Sequence, residues 1–398
     1  MKRVKLKDIT ISITDGKHGD CKGQDNSGYY FISCKDVFDG NIHYENARQI
    51  TEEDFIDADK RTKLAPNDIL VTNSGTIGRM ALVKDAPKTK RTTFQKSVAI
   101  VKPDSTRVFP HYLYYLLKSK VGDFINSSNG AAQKNLLLST MRDFEMEIEE
   151  NLEVQTSIAE VLSRYDALIE NYQRQIKLLE EAAQRLYKEW FVDLRFPGHQ
   201  STPIINNLPQ TWQKKKLGEI ADVNCKSISK DYPFDFVDYI DLGAVREGNI
   251  EKPTRYLYGE EPGRAKRVAS DGDIIWGMVR PNLKAYALVQ NPKRSEVFST
   301  GFSIITARDV PFSFLYCAVT TEAFVGYLVN CTNGAAYPAV KAEHFEKADL
   351  IIPSKMVLDN FHQHVGRMYR TIGYLQTQIR NLSEARDRLL PKLMSAEI

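Results

Sequence analysis

Two repeated α+β domains, separated by two long helices that form an antiparallel coiled coil with pseudo-twofold symmetry, make up the fold class this sequence predicts. Three observations predict it. Six short blocks recur in the same order in the two halves of the 398-residue chain. Each half opens with short β-branched and aromatic runs punctuated by Gly, Asn, Asp and Pro, as in an α+β domain with several strands. Each half then closes on ten positions spaced alternately four and three apart, apolar or aromatic in all but one case, the seam of a coiled coil.

The repeat begins with Leu6-Lys7-Asp8-Ile9, which returns as Leu217-Gly218-Glu219-Ile220. Phe31 to Val37 returns as Tyr239 to Val245, and each is followed by an Asn-Ile pair, Asn41-Ile42 and Asn249-Ile250. Asn67-Asp68-Ile69-Leu70 is matched by Gly272-Asp273-Ile274-Ile275, and Ala81-Leu82-Val83 by Ala287-Leu288-Val289. Asn129-Gly130-Ala131-Ala132 recurs unchanged as Asn333-Gly334-Ala335-Ala336. The offset shrinks from 211 at Leu6 to 204 at Asn129. Such drift is what insertions in surface loops leave around a shared framework.

The first seam runs through Ile158, Leu162, Tyr165, Ile169, Tyr172, Ile176, Leu179, Ala183, Leu186 and Trp190. The second runs through Phe361, Val365, Met368, Ile372, Leu375, Ile379, Leu382, Arg386, Leu389 and Leu393, and only Arg386 breaks it. A helix from Gln155 to Phe191 is about 55 Å long at about 1.5 Å per residue, longer than a domain of this size. So narrow a stripe on so long a rod needs a partner of equal length, and the chain supplies one. The expected organisation is a first domain over 1–150, a central helix over 151–192, a proline-bearing linker over 193–212, a second domain over 213–353 and a distal helix over 354–398. Pro391 is expected to kink or end that last helix.

Composition narrows the function. Hydrophobic content of 42% with 26% charged residues suits a soluble globular chain. No apolar run reaches the eighteen residues of a membrane span, and no apolar stretch follows the basic N-terminus as in a secretory signal. Cys21, Cys34, Cys225, Cys317 and Cys331 stand singly, which points to reduced thiols, no metal site and a cytoplasmic location. With a net charge of +3, any nucleic-acid binding must rest on clustered rather than global positive charge.

Catalytic signatures are missing. No GxxxxGK[ST] or GxGxxG occurs, no Asn- or Asp-Pro-Pro-aromatic tetrapeptide of an amino-methyltransferase, and no HExxH among the seven histidines. Asp349 and Lys355 are too loosely spaced to signal a nuclease. No residue is therefore assigned to catalysis or to a metal.

Each domain instead carries a strand–loop–strand unit with small, polar and basic residues at its tip. In the first it is Thr72-Asn73-Ser74-Gly75-Thr76-Ile77-Gly78-Arg79, and in the second Trp276-Gly277-Met278-Val279-Arg280-Pro281-Asn282-Leu283-Lys284. Asn reads adenine and Arg reads guanine bidentately. Asn73, Ser74, Thr76 and Arg79, with Arg280, Asn282 and Lys284, are the candidate DNA contacts here. The segments after the repeated Asn-Gly-Ala-Ala add Gln133, Lys134 and Asn135, and Tyr337 and Lys341, since lysines neutralise phosphate. The basic runs Lys84, Lys88, Lys90, Arg91 and Lys96, and Arg255, Arg264, Lys266 and Arg267, are candidate phosphate clamps, Lys96 foremost.

Further motifs carry a resemblance. They are Ile13-Thr14-Asp15-Gly16-Lys17-His18, Asn67-Asp68-Ile69-Leu70 with Ser74-Gly75-Thr76-Ile77-Gly78, and Gly130-Ala131-Ala132-Gln133-Lys134-Asn135-Leu136. Trp190-Phe191-Val192-Asp193 with Phe196-Pro197-Gly198, Leu208-Pro209 to Trp212, and Leu389-Leu390-Pro391-Lys392-Leu393-Met394 complete the set. In this order, over essentially its whole length, the chain resembles the specificity subunit of type I restriction–modification systems. The resemblance implies two target-recognition domains, each reading one half of a split double-stranded DNA site, with the paired helices setting the gap. It also implies docking of DNA methyltransferase subunits that use S-adenosylmethionine and of ATP/Mg-driven restriction subunits, with no cofactor on this chain. The second domain departs from the first, with Tyr337-Pro338 where the first has Gln133-Lys134, so different half-sites are expected. Two other readings stay open at this point: a degenerate methyltransferase or nuclease, and a coiled-coil adaptor without DNA contact.

Overall fold

The computed structural model describes residues 1–128, 134–229, 231–332 and 338–395. The chain divides into two compact units, Met1–Glu170 with Arg380–Ile398, and Asn171–Ile379. Each unit holds one α+β domain and a stretch of both long helices.

In the first unit a four-stranded antiparallel sheet runs in the order Thr10–Asp15, Val98–Pro103, Ile69–Thr72, Met80–Leu82. All four residues of Ile69–Thr72 are buried, as expected of a β-branched run in a central strand. Against this sheet lies a mixed one, Arg48–Gln49, Tyr30–Ile32, Thr92–Phe94, in which the last two strands pair in parallel. Helix Glu52–Thr62 is capped by the Thr51 hydroxyl, which accepts from the Asp54 N–H, and carries Glu52, Glu53 and Asp54 in its first turn. Acid there suits the positive end of the helix dipole.

The second unit repeats the plan. Its antiparallel sheet runs Ala221–Val223, Phe302–Ala307, Ile274–Gly277, Tyr286–Leu288. Its mixed sheet pairs Phe236–Ile240 in parallel with Glu296–Ser299. Ile69 faces Leu82 in one hairpin as Ile274 faces Leu288 in the other. A small hairpin follows the first mixed-sheet strand in both domains, Val37–Phe38 with Asn41–Ile42 and Val245–Arg246 with Asn249–Ile250. The domains differ where the first has helix Glu52–Thr62 and the second has strand Ala265–Arg267 on its mixed sheet.

Both long helices form, Leu152–Tyr187 with a π turn over Lys188–Val192, and Lys355–Met394. In the first unit Ile158, Ala159 and Leu162 share a core with Leu390, Leu393 and Met394. In the second, Ile176, Leu179, Ala183 and Leu186 share one with Val357, Phe361, Val365 and Ile372. The start of one helix meets the end of the other within the first unit, and the reverse holds within the second, so the pairing is antiparallel in each. The stripe serves the domain core as well: Tyr112 and Leu116 belong to the first cluster, Phe314 and Leu315 to the second.

Two local expectations change. Pro391 does not end the distal helix, which runs through it to Met394. The ring removes one N–H, but Leu390, Leu393 and Met394 are held in the core and the Ser395 N–H donates to the Pro391 carbonyl at 2.9 Å. Arg386 breaks the apolar pattern without breaking the seam, because Asp166 on the other helix meets its guanidinium at 2.5 Å.

Among the described residues no single helix is long and apolar enough to cross a membrane. The bent pair Phe312–Val319 and Glu322–Asn330 has the composition, yet Phe314, Leu315, Cys317, Val319 and Leu328 lie inside the second unit's core. All five cysteines are free thiols.

Glu180 on the first long helix is half-buried beside Gly248, and burial first, then the Glu247 carboxylate, pushes its pKa up to about 7. A carboxyl whose folded pKa lies above its ordinary 4.5 destabilises the fold once it ionises. Stability therefore falls as pH rises from 4.5 through about 7, and the full penalty applies above that. Glu180→Gln is expected to stabilise the protein by on the order of 1–2 kcal/mol at alkaline pH and by nothing at acid pH. Denaturation midpoints at both pH values check it, and an equal gain at each would refute the assignment.

Candidate nucleic-acid interface

The two hairpin tips sit on the same backbone platform. In the first domain the Thr72 N–H donates to the Arg79 carbonyl at 2.8 Å, the Gly78 N–H to the Thr72 carbonyl at 2.9 Å, and the Arg79 N–H to the Thr72 hydroxyl at 2.9 Å. Gly75 and Gly78 take φ of 79° and 87°, which a side chain rarely adopts, and a Cβ on Gly78 would lie 2.6 Å from Val121. The sequence folds into this tight tip because glycine stands at both positions.

Two distant segments flank the tip. The Asn73 N–H donates to the Ser97 carbonyl at 3.1 Å, and the Leu136 N–H donates to the Asn73 carbonyl at 2.8 Å. In the second domain the Met278 N–H donates to the Gly301 carbonyl at 2.8 Å, and the Val340 N–H to the Met278 carbonyl at 2.8 Å. Isolated bridges seal the same junctions, Ser74 with Asn135 and Val279 with Ala339. Hairpin tip, inter-strand turn and the segment after Asn-Gly-Ala-Ala are thus joined identically in both domains, although only the framework residues match in sequence.

Most of the predicted residues come together on this platform. Thr76, Arg79, Lys96, Lys134 and Asn135 are exposed, and Ser74 is half-buried. Asn73 is different: only 5% of it is accessible and its side-chain oxygen has no hydrogen-bond partner, so its amide is part of the platform's interior rather than its open face. In the second domain Arg280, Asn282 and Lys341 are exposed, Arg280 and Lys284 take left-handed backbone angles, and the Arg280 N–H donates to the Pro338 carbonyl at 2.8 Å. Lys284 turns to Glu322 at 2.5 Å, so its charge faces a carboxylate. Gln133 and Tyr337 lie outside the described residues.

Sequence reasoning missed the turn at Ser97 and its counterpart at Gly301, and also Cys34, whose N–H donates to the Ser97 hydroxyl at 3.2 Å. Lys17 bridges Gln95 through its N–H to the Phe94 carbonyl at 2.8 Å, bringing the Asp15 to His18 segment to the same turn. The sequence signal for that turn is Lys96 alone. Of the remaining cations, Lys84 pairs with Glu170 at 2.7 Å and Arg255 with Asp238 at 2.8 Å. Lys216 and Lys214 converge on Asp349 and hold its carboxyl below the usual range. That charge ties strand Gln213–Lys216 to Asp349–Ile352, and Lys355 pairs instead with Asp359 at 3.2 Å. Among the described residues no cluster of His, Cys, Asp and Glu could hold a metal ion.

Residues 2–181 match the family model described as type I restriction modification DNA specificity domain. The type I restriction enzyme MjaIX specificity subunit of Methanocaldococcus jannaschii is 29% identical over 407 aligned positions, covering 92% of this chain and 86% of that one. The HindI specificity subunit of Haemophilus influenzae is 20% identical, covering 75% and 80%. In fold, the crystal structure of a type I restriction–modification S subunit from M. genitalium superposes with a TM-score of 0.60 over 99% of this chain and 96% of that one, at 16% identity.

Proposed function

We propose that the chain is a specificity subunit of a type I restriction–modification system and that it reads a bipartite, asymmetric DNA target, one part with each domain. The observation that carries the proposal is the platform built twice with unlike tips. The backbone joints are kept, while Ser-Gly-Thr-Ile-Gly-Arg in one domain is replaced by Val-Arg-Pro-Asn-Leu-Lys in the other. A constant scaffold with a variable polar tip is what two different base readings on one design require. The paired helices would set the number of base pairs between the two parts.

The chain itself supplies binding and no chemistry in this reading. Methyl transfer from S-adenosylmethionine belongs to docked methyltransferase subunits, which must extrude the target base, and ATP/Mg-driven restriction to further subunits. Purified alone with labelled S-adenosylmethionine and DNA, the chain should transfer no methyl group.

Selection of bound duplexes from a randomised pool is expected to return two short conserved blocks at a fixed gap. Arg79→Ala should relax discrimination at one position of one block, by about 1–3 kcal/mol if its guanidinium spans a guanine edge, and leave the other block unchanged. Equal loss in both blocks, or no change in either, would remove Arg79 from the reading face.

A further inference from the structure

Most surface cations that the structure places near carboxylates are neutralised by them. Lys17 Nζ lies 3.1 Å from Asp57, Arg48 2.5 Å from Asp20, and Lys84, Arg255 and Lys284 are paired as described. The connection that follows the reading hairpin is different in both domains. In the first it carries Lys88, Lys90 and Arg91, all exposed. The Lys88 ammonium stands 5.4 Å from the centre of the Tyr30 ring and 4.8 Å from that of Tyr44, and the Arg91 guanidinium 5.7 Å from that of Tyr29. In the second it carries Lys293 and Arg294, both exposed, with the Arg294 guanidinium 5.9 Å from the Phe234 ring.

The two places are equivalent by strand register. Thr92 faces Tyr30 in a parallel pair as Glu296 faces Asp238, so Lys90 and Arg294 each stand two residues before the same strand. The residue types differ, yet cations beside aromatic rings appear in both. An aromatic face holds a long cationic side chain in place without neutralising it, so the charge stays available to a ligand. Among the described residues none of these five cations lies within ion-pair distance of a carboxylate. In the first domain they also line an open cleft of about 710 Å³, together with Gly28, Tyr30 and Asp85.

We propose that these two connections are phosphate-binding surfaces, each gripping the sugar–phosphate backbone of duplex DNA beside the bases read by the hairpin of its own domain. This rests on the DNA-reading function proposed above and adds to it a grip that carries no sequence information. Clustered charge with no carboxylate within ion-pair distance is what a chain of net charge +3 needs to bind a polyanion. Unpaired lysine and arginine suit phosphate, whereas the hairpin tips, with their amides and hydroxyls, suit base edges.

The test is the salt dependence of binding of the full chain to a random-sequence duplex and to its selected target. Replacing Lys88, Lys90 and Arg91 together by Ala should lower the slope of log affinity against log salt by about 0.9 for each phosphate that is no longer neutralised, hence by between two and three in all. Replacing Lys293 and Arg294 by Ala should lower it by about two on the same basis. Affinity for target and random duplex should fall by the same factor, with base preference intact. Lys88→Arg, which keeps the charge, should leave the slope as it was. All five side chains are exposed, so folding is not at stake. An unchanged slope overturns the proposal, as does a shift in base preference, which would make these residues readers. The Arg79→Ala protein separates the two claims. If it leaves base preference untouched while the slope variants behave as expected, the hairpin reading fails and the phosphate surface stands.

Discussion

Asp166→Ala is expected to destabilise the first unit by about 2–3 kcal/mol, more than any surface substitution should. Asp166 is the partner of Arg386, the one charged residue on an otherwise apolar seam, and the guanidinium is only 15% exposed. Its second oxygen accepts from the Tyr115 hydroxyl at 2.7 Å. Removing it leaves a largely buried cation with only Asp387, at 2.8 Å and on its solvent side, and orphans the tyrosine hydroxyl. Breaking such a pair costs about 3–5 kcal/mol when fully buried, and partial exposure with Asp387 still in place reduces that. Lys118, whose ammonium burial already pushes below its ordinary pKa, loses a compensating charge at the same time. The informative partner is Asp166→Leu with Arg386→Leu, which restores the four-three pattern and should recover most or all of the loss, since apolar replacement of a buried pair is often neutral or stabilising. Denaturant midpoints of the two variants decide it. A double variant as unstable as Asp166→Ala would mean that the pair is indispensable to how these helices register.

The duplication, the strands and both helices can be read in the sequence because each leaves a local or periodic trace. Ile69 to Thr72 is a β-branched run, the seam repeats every seven residues, and Gly75 and Gly78 announce a tight tip. What cannot be read depends on residues far apart. Arg386 looks like a defect until Asp166, 220 residues away, is placed beside it. The joint between Asn73 and Ser97 is a backbone hydrogen bond, which has no residue preference and so leaves no signature. Asn73 stands out in the sequence for its amide, yet its position at the strand end turns that amide inward, where tertiary packing overrides what the residue type suggests. Lys284 stands out for its charge, and only the fold reveals Glu322 against it. That the helix continues past Pro391 to Met394 has the same cause: three neighbouring apolar side chains anchored in a core outweigh one missing N–H.

Trp276→Ala should have the largest effect of all, about 3–5 kcal/mol, and should act on one domain alone. Trp276 is fully buried, its indole N–H donates to the Val319 carbonyl at 2.9 Å, and its ring packs against Tyr286, Phe345 and Phe324 at centroid distances of 5.4, 5.9 and 6.4 Å. It stands two residues before Met278, whose N–H and carbonyl hold the second reading tip to Gly301 and Val340. The cavity left by alanine therefore opens at the base of that platform. The matching position in the first domain is Val71, opposite Ala99 as Trp276 is opposite Ser303, and it is untouched by the change. Trp276→Phe keeps an aromatic ring but leaves the Val319 carbonyl without its donor, and should cost about 1–3 kcal/mol from that loss. If the domains read independently, duplex selection with Trp276→Ala returns one block intact and the other degraded, while Trp276→Phe degrades the same block less. Both blocks fading together would mean that recognition is not divided between the domains, and the duplicated platform would then need a different explanation.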